Sequence, residues 1–155
     1  MTPAVDAARQ AGIDCQVLEY DHDPAAESFG LEAAAALGVD PPAVFKTLVA
    51  SLSSGDLVVA VIPVVTRLDL KALAAVSGAK KAAMADPRAA EQATGYVIGG
   101  ISPLGQRRRL ATVVDESALT HPKIYVSAGR RGLEIALQPQ ELVALTKAEL
   151  GCIGR

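Results

Sequence analysis

Two apolar segments near the middle of the chain constrain the fold more than any other feature. Residues 44–52 alternate in character, and residues 57–63 form a run of Leu, Val, Ala and Ile that ends in proline. A Ser-Ser-Gly-Asp turn joins them, so the pair predicts a β-hairpin. Much of the other apolar content is alanine, which buries little area per residue, and the core must therefore rest on runs such as these.

Helices and further strands are predicted on both sides of this hairpin. Capping residues and glycine stops predict helices that begin after Thr2, Ser28, Asp69 and Asp86 and end near Gly12, Gly38, Gly78 and Gly95, with a last helix starting near Pro139. Short strands are predicted over residues 15–20, 112–115, 124–127 and 133–137. No linker or repeat interrupts the chain. The pattern predicts one α/β (α+β) domain over residues 1–155, a mixed β-sheet surrounded by helices, with the strand order left open.

Charge and composition exclude several classes of function. The longest apolar run, residues 57–65, contains a proline and is far shorter than the ~20 residues of a membrane span, and no secretory signal precedes it. The two cysteines lack disulfide or zinc spacing, so we expect a cytoplasmic protein without a metal site. The net charge is −2. A protein that binds DNA or RNA through the phosphates alone has an excess of basic residues, which this chain lacks.

Lys46 is the most informative single residue. In the predicted strand it shares a face with Val44, Leu48, Ala50 and Leu52. A charged side chain on an otherwise apolar face requires an explanation. One interpretation places it at the strand end, with its ammonium group reaching water along an apolar stem. The other makes it a cation at the floor of a cleft, where it binds a carbonyl or phosphate oxygen.

Two glycine-rich loops are candidates for contact with a ligand. The segment 95–105 contains Gly99, Gly100 and Ser102, and the segment 127–132 contains Gly129. Glycine lets successive N–H groups point into a concavity and meet negative charge, although such loops are more often ordinary turns. Arginine clusters at 107–109 and 130–131 lie beside these loops, and lysines 80–81 form a further basic pair, which favours a phosphate-bearing substrate such as RNA over a small metabolite.

The usual catalytic motifs are missing from the sequence. It has no Gly-x-Ser-x-Gly elbow, His-Glu-x-x-His zinc motif, Walker loop or dinucleotide fingerprint. His22 and His121 have no plausible serine or cysteine partner and are interpreted as surface residues. Cys15, at a strand start, is interpreted as a small core residue.

Several blocks in order give the chain a resemblance to the YbaK/EbsC family of aminoacyl-tRNA editing domains, which extends over nearly its whole length. The blocks are Met1-Thr-Pro-Ala-Val5, Tyr20-Asp-His-Asp-Pro24, Phe45-Lys-Thr-Leu48, Leu68-Asp-Leu-Lys71, Gly78-Ala-Lys-Lys81, Met84-Ala-Asp-Pro87, Thr94-Gly-Tyr96, Gly99-Gly-Ile-Ser-Pro-Leu-Gly105 and Ile124-Tyr-Val-Ser127. The resemblance implies the fold of the editing domain of prolyl-tRNA synthetase and hydrolysis of mischarged aminoacyl-tRNA, Cys-tRNA(Pro) foremost.

The resemblance also assigns site residues, position by position. It places the essential lysine at Lys46 and the oxyanion-stabilising backbone at Gly99 and Gly100. Substrate contacts fall on Tyr20, Thr47, Ile101, Ser102, Ser127, Gly129 and Glu134. At the position of Glu134 the family commonly has aspartate, which is one methylene shorter. Whether Glu134 contacts the substrate amine directly is therefore not decided by the resemblance.

The mechanism that the resemblance implies uses the thiol of the substrate cysteine as the nucleophile and needs no metal or organic cofactor. The expected partners are the 3′ aminoacyl end of mischarged tRNA and, transiently, prolyl-tRNA synthetase. Two alternatives remain at this stage. One is an editing domain for another mischarged tRNA such as Ala-tRNA(Pro), and the other is a non-catalytic module that binds tRNA or a synthetase.

Overall fold

The computed structural model describes residues 1–155, which form five α-helices and eight β-strands. The helices are α1 (Pro3–Gln10), α2 (Phe29–Leu37), α3 (Leu70–Val76), α4 (Pro87–Thr94) and α5 (Pro139–Thr146). The strands are β1 (Cys15–Glu19), β2 (Phe45–Leu52), β3 (Leu57–Pro63), β4 (Ala82–Met84), β5 (Ala111–Asp115), β6 (Ile124–Arg130), β7 (Leu133–Leu137) and β8 (Glu149–Gly151). None of the helices has the length and apolar character needed to cross a bilayer.

Short polar side chains begin the helices as the sequence predicts. The side-chain oxygens of Thr2, Ser28, Asp69 and Asp86 each accept a hydrogen bond from a backbone N–H in the first turn of the helix that follows. Each bond satisfies one of the amides that a helix leaves without an internal partner. The glycines Gly38 and Gly95 end α2 and α4 in the left-handed conformation.

The predicted hairpin is confirmed and forms the centre of the larger of two sheets. Strands β2 and β3 pair antiparallel from Phe45 opposite Pro63 to Ser51 opposite Leu57. The five-stranded sheet has the order β4-β2-β3-β5-β8, with β5 parallel to β3 and β8 parallel to β5. A three-stranded antiparallel sheet, β1-β7-β6, completes the fold. The α+β class with mixed pairing is confirmed, but the strands divide between two sheets instead of one.

The main hydrophobic core lies between the two sheets and α1, α4 and α5. Its fully buried members include Val59 and Val61 of β3, Val126 of β6 and Ile135 of β7. A smaller cluster lies on the opposite face of the hairpin, where Ala60 and Ile62 pack against Leu73 of α3. The apolar runs of the hairpin therefore supply both cores, because alternate residues of β3 face opposite sides.

Two strands, β4 and β8, are missing from the sequence prediction. Each has only three residues and lies at an edge of the larger sheet. Such short segments carry no periodic signal, and only the neighbouring strand tells them apart from loops.

Candidate active site

A cavity of about 430 Å³ opens beside the edge of β2 that faces away from β3. Five consecutive residues of this strand, 45–49, line it. Since neighbouring residues of a strand point to opposite faces, an unbroken lining of this kind means that the cavity faces the strand edge. The other walls come from β6 and β7, the start of α2, the β4–α4 segment and the loop around Gly99.

The strand edge is open because β2 lacks a partner there. On this side β4 pairs only with Ala50–Leu52, and an isolated parallel bridge joins Val44 to Tyr125 of β6. The carbonyl of Val49 accepts a hydrogen bond from Ala85 at 3.0 Å on the same side. Backbone groups alternate in direction along a strand, so Thr47 directs its N–H and C=O to the open edge.

Thr47 also brings an unsatisfied side chain to the site. It is 9% exposed, and its hydroxyl oxygen is buried with no hydrogen-bond partner. A buried hydroxyl without a partner costs free energy, on the order of 1–3 kcal/mol. The position is explained if a ligand in the cavity supplies the missing partner.

Lys46 lies on an apolar strand face, as the alternation predicts, and lines the cavity. Burial is the main cause that lowers the pKa of its ammonium group, and the positive charge of Arg67 lowers it further. The carboxylate contacts of the chain are His22 with Glu32 and Arg130 with Glu19, so no carboxylate neutralises Lys46. A partly desolvated, unpaired ammonium group binds an anionic or carbonyl oxygen more strongly than one in water.

Glu134 supplies a buried carboxyl group in another part of the same cavity. It lies on β7, opposite Leu18 of β1 and Ser127 of β6. The side chain is 6% exposed, and Oε2 has no hydrogen-bond partner. Burial raises the pKa of this carboxyl to about 8, so without a nearby cation it is mostly protonated at neutral pH. Burial also raises the pKa of the neighbouring Tyr20, whose hydroxyl therefore stays protonated.

Phe29 and Arg131 meet across the cavity and join three of its walls. The guanidinium carbon of Arg131 lies 3.9 Å from the centre of the Phe29 ring. Arg131 also donates a hydrogen bond of 3.0 Å to the carbonyl of Ile98. Gly99 lies against both side chains, since a Cβ at this position would approach Arg131 to 2.7 Å and Phe29 to 2.8 Å. We call this group the Phe29–Arg131 clamp.

The first glycine loop differs from the prediction in which amides it offers. The Gly100 N–H donates to the carbonyl of Val97 at 2.8 Å, so the turn already uses this donor. The N–H groups of Gly99 and Ile101 donate to no backbone carbonyl, and both residues line the cavity. In this conformation Gly99 and Ile101, rather than Gly99 and Gly100, have backbone amides without an acceptor.

Ser127 holds the two glycine loops together at the cavity wall. Its hydroxyl donates to the carbonyl of Gly100 at 3.1 Å and accepts from the N–H of Gly129 at 3.1 Å. Gly100 has no side chain because a Cβ there would come within 3.1 Å of the backbone of Arg130. Ser127 thus lines the site as predicted, and its hydrogen bonds fix the loop that carries the free amides.

Ser102 and Gly129 were predicted to contact substrate, but neither lines the cavity. Ser102 is fully buried, and its hydroxyl accepts a hydrogen bond from the N–H of Leu104. Gly129 has φ of 110° and lies against the ring of Tyr96, which a Cβ would approach to 2.7 Å. Both residues shape the loops that support the site.

The clamp escaped the sequence-based prediction of site residues. From the sequence, Phe29 is interpreted as a residue of the helix that follows the cap Ser28. Arg131 is interpreted as one of several solvated arginines. The one available signal was the basic pair 130–131 beside the second glycine loop. No group of three or more His, Cys, Asp or Glu side chains is arranged to hold a metal ion.

Comparison with known proteins identifies the family of this chain. A family model described as the aminoacyl-tRNA editing domain matches residues 23–154. A protein of Enterococcus faecalis (strain ATCC 700802 / V583), provisionally named Cys-tRNA(Pro)/Cys-tRNA(Cys) deacylase EbsC, is 39% identical over 132 residues, which cover 84% of this chain and 80% of the relative.

Solved structures agree over almost the full length of the chain. One described as a provisional trans-editing enzyme for prolyl-tRNA synthetase has a TM-score of 0.86 at 27% identity, covering 99% of this chain and 95% of the other. A protein of unassigned function has a TM-score of 0.89 at 27% identity, covering 99% of both chains. The fold is therefore common to a group of proteins.

Proposed function

The chain belongs to the aminoacyl-tRNA editing domain family, and on this premise we propose that it is a trans-editing deacylase that hydrolyses Cys-tRNA(Pro). Its substrate would be the ester that joins a mischarged cysteine to the terminal ribose of tRNA. Cysteine and proline are close in size, and a pocket that selects by size gains only about 1–3 kcal/mol per methylene of discrimination. A separate hydrolase can remove cysteine that has been attached to tRNA(Pro) because of this weak discrimination.

One observation carries the proposal. Lys46 and Glu134 line the same cavity and do not pair with each other, so the cavity holds a free cation and a buried carboxyl that can ionise when a cation approaches it. An aminoacyl ester has an ammonium group at one end and ester and phosphate oxygens at the other, so it matches this arrangement. When the ammonium group approaches Glu134, it favours the charged carboxylate and lowers its pKa. Lys46 then holds the ester or the terminal adenosine.

The substrate's own thiol is the proposed nucleophile. No cysteine or histidine lines the cavity, which instead carries the hydroxyls of Tyr20, Ser28, Thr47 and Ser127. A bond forms between the cysteine sulfur and the carbonyl carbon, and the carbon–oxygen bond to the ribose breaks. The ribose oxygen takes up the proton released by the thiol, and water opens the resulting thiolactone to free cysteine.

The protein's contribution is positioning and charge stabilisation. The amides of Gly99 and Ile101 are the available donors for the negative oxygen of the tetrahedral intermediate. Removing one donor from an oxyanion hole slows catalysis on the order of 10²–10³-fold elsewhere. Holding the thiol near the carbonyl adds the advantage of an intramolecular reaction.

Deacylation of three tRNA(Pro) substrates tests the proposal. Cysteine, alanine and α-aminobutyrate are compared, because α-aminobutyrate replaces the thiol by a methyl group of similar size. We expect rapid hydrolysis of the cysteinyl ester only. Equal rates for cysteine and α-aminobutyrate would refute the thiol mechanism, and hydrolysis of the alanyl ester alone would change the substrate but keep the editing activity. Binding without faster deacylation of any substrate would identify a non-catalytic module.

Lys46 variants test the site itself. Lys46→Ala removes the unpaired charge and should lower kcat/KM by at least about 10²-fold, as loss of a charged contact in a water-poor site does. Lys46→Arg keeps the charge on a larger group and should retain part of the activity if the role is electrostatic. Undiminished activity of Lys46→Ala would move the catalytic site away from this cavity.

Prolyl-tRNA synthetase as a transient partner and a cytoplasmic location are parts of this proposal. With a net charge of −2, the chain gains little tRNA affinity from its overall charge. A complex with the synthetase would raise the local concentration of tRNA(Pro). Deacylation of several cysteinyl-tRNAs with and without the synthetase tests this, and selectivity that does not change would count against it.

A further inference from the structure

Two cavities lie on either side of Arg108 and Arg109, outside the proposed active site. The smaller, about 240 Å³, is enclosed by the 103–110 segment, β5 and residues of α1 and α5. The larger, about 500 Å³, lies toward the β2–β3 turn and the end of α3. Neither shares a lining residue with the cavity at Lys46. We call Arg107–Arg109 the arginine ridge.

The lining of the smaller cavity is suited to an anion. It contains both arginines and no acidic residue. The hydroxyl groups of Thr112 and Thr146 already donate to nearby backbone carbonyls, as does the amide of Gln106. The two guanidinium groups are thus the charged donors that remain.

None of the three arginines of the ridge has a carboxylate partner. All three are exposed, and the ion pairs of the chain involve only His22, Glu32, Arg130 and Glu19. The larger cavity adds Lys147, together with the carboxylates Asp56 and Glu149, neither of which pairs with an arginine. Including Lys147, the surface has four cations against two anions, in a chain whose net charge is −2. The positive charge here is local.

Helix α4 connects the ridge to the proposed active site. The N–H groups of Arg107 and Arg108 donate at 2.9 Å to the carbonyls of Thr94 and Ala93, at the end of α4. Near the start of the same helix, Pro87 and Ala90 line the active-site cavity. With 8 residues, α4 is about 12 Å long. Pro87, the cavity residue farthest from the ridge along α4, is thus separated from it by roughly three to four nucleotide steps of one strand in duplex geometry, and Ala90 lies nearer.

We propose that the arginine ridge binds the sugar–phosphate backbone of the tRNA at the start of the acceptor stem, beyond the CCA end. This inference rests on the proposed function. Guanidinium groups match phosphate oxygens with two parallel hydrogen bonds, and such contacts supply affinity that does not depend on sequence. The cavity at Lys46 then reads the amino acid, and the ridge holds the nucleic acid that carries it.

Binding of uncharged tRNA(Pro) tests the ridge separately from catalysis. The test variant is Arg108→Ala/Arg109→Ala, and the control is Arg9→Ala/Lys123→Ala, which removes the same charge from exposed positions on other elements. The dissociation constant is measured by fluorescence anisotropy at several salt concentrations. We expect the test variant to bind on the order of 10-fold more weakly, and its log–log salt dependence to fall by about 1–2. The control should change both quantities far less.

A short substrate separates the ridge from the catalytic site. Cysteinylated CCA trinucleotide fills the cavity at Lys46 without reaching the acceptor stem. The test variant should cleave it at the wild-type rate while showing a raised KM for Cys-tRNA(Pro). Unchanged tRNA affinity and salt dependence would overturn the proposal, as would an equal effect of the control. A loss that occurs only with prolyl-tRNA synthetase present would assign the ridge to a protein partner. If no protein deacylates either substrate while the binding difference remains, the proposed function fails and the ridge stands.

Discussion

Replacing Glu134 by glutamine should stabilise the protein at neutral and alkaline pH. Glutamine has nearly the same shape as the protonated carboxyl that the buried site favours, but it cannot ionise. The carboxyl is 6% exposed, and burial raises its pKa from 4.5 to about 8. The native residue therefore carries a cost that the variant removes.

The sign and size follow from the two pKa values. Below pH 4.5 both the folded and unfolded chains keep the proton, so the site costs nothing extra. Between 4.5 and 8 the unfolded chain has lost the proton and the folded one keeps it, so the free energy of unfolding falls as pH rises. Each pKa unit corresponds to about 1.4 kcal/mol, so a shift of about 3.5 units gives an upper value of roughly 5 kcal/mol above pH 8.

Urea unfolding of both proteins from pH 5 to pH 8 measures this effect. Other titrating groups are shared, so the difference in unfolding free energy isolates Glu134. We expect the two proteins to be nearly equal at pH 5 and the variant to gain up to roughly 4 kcal/mol by pH 8. A difference that stays constant with pH would refute the reasoning, because an uncharged cause has no pH dependence. If Glu134 also binds the substrate amine, the more stable variant should have a raised KM.

Three further predictions concern the supporting structure. Gly105→Ala should destabilise the fold by about 3 kcal/mol or more in urea unfolding, because the added Cβ would come within 2.4 Å of a backbone oxygen of α1. The control is Gly12→Ala, where φ is similar but no atom lies within 4 Å of the added Cβ. It should lower the free energy of unfolding by only about 1 kcal/mol. Asp115→Ala should cost about 2–4 kcal/mol in the same assay, since its carboxylate accepts hydrogen bonds at 3.0 and 2.8 Å from two backbone amides near the C-terminus; an unchanged midpoint would contradict this. Arg131→Ala should lower kcat/KM for Cys-tRNA(Pro) about 10-fold and stability by about 1 kcal/mol, because it removes the clamp contact with Phe29, and Arg131→Lys should restore little of either.

Local signals explain why most elements were predictable. A helix cap such as Asp86 and a stop such as Gly95 act through hydrogen bonds and dihedral angles of adjacent residues, so their effect can be read without knowing the fold. The same holds for the hairpin around Gly55, whose turn and flanking strands are contiguous. β4 and β8 were missed because each exists only through pairing with a distant strand.

The predicted site residues also divide into those that the structure brings into the cavity and those that it does not. Lys46 was identified from the strand alternation and the family blocks, Glu134 from the resemblance to the family, and the structure brings both into one cavity. Ser102 shares a block with Gly99, yet its side chain turns inward and bonds within its own loop. A shared sequence block shows that residues are neighbours in the chain, but the conformation of the turn decides which of them face the cavity.

The sequence by itself determined the class of the fold, the approximate helix boundaries and the strand position of Lys46, because these depend on periodicity, capping and motif order. Only the tertiary structure decided that β2 has an open edge, that Gly99 and Ile101 carry the free amides, and that Phe29 meets Arg131. Each of these depends on contacts between segments far apart in the chain. Such contacts are set by packing of the whole core, which no local pattern of residues encodes.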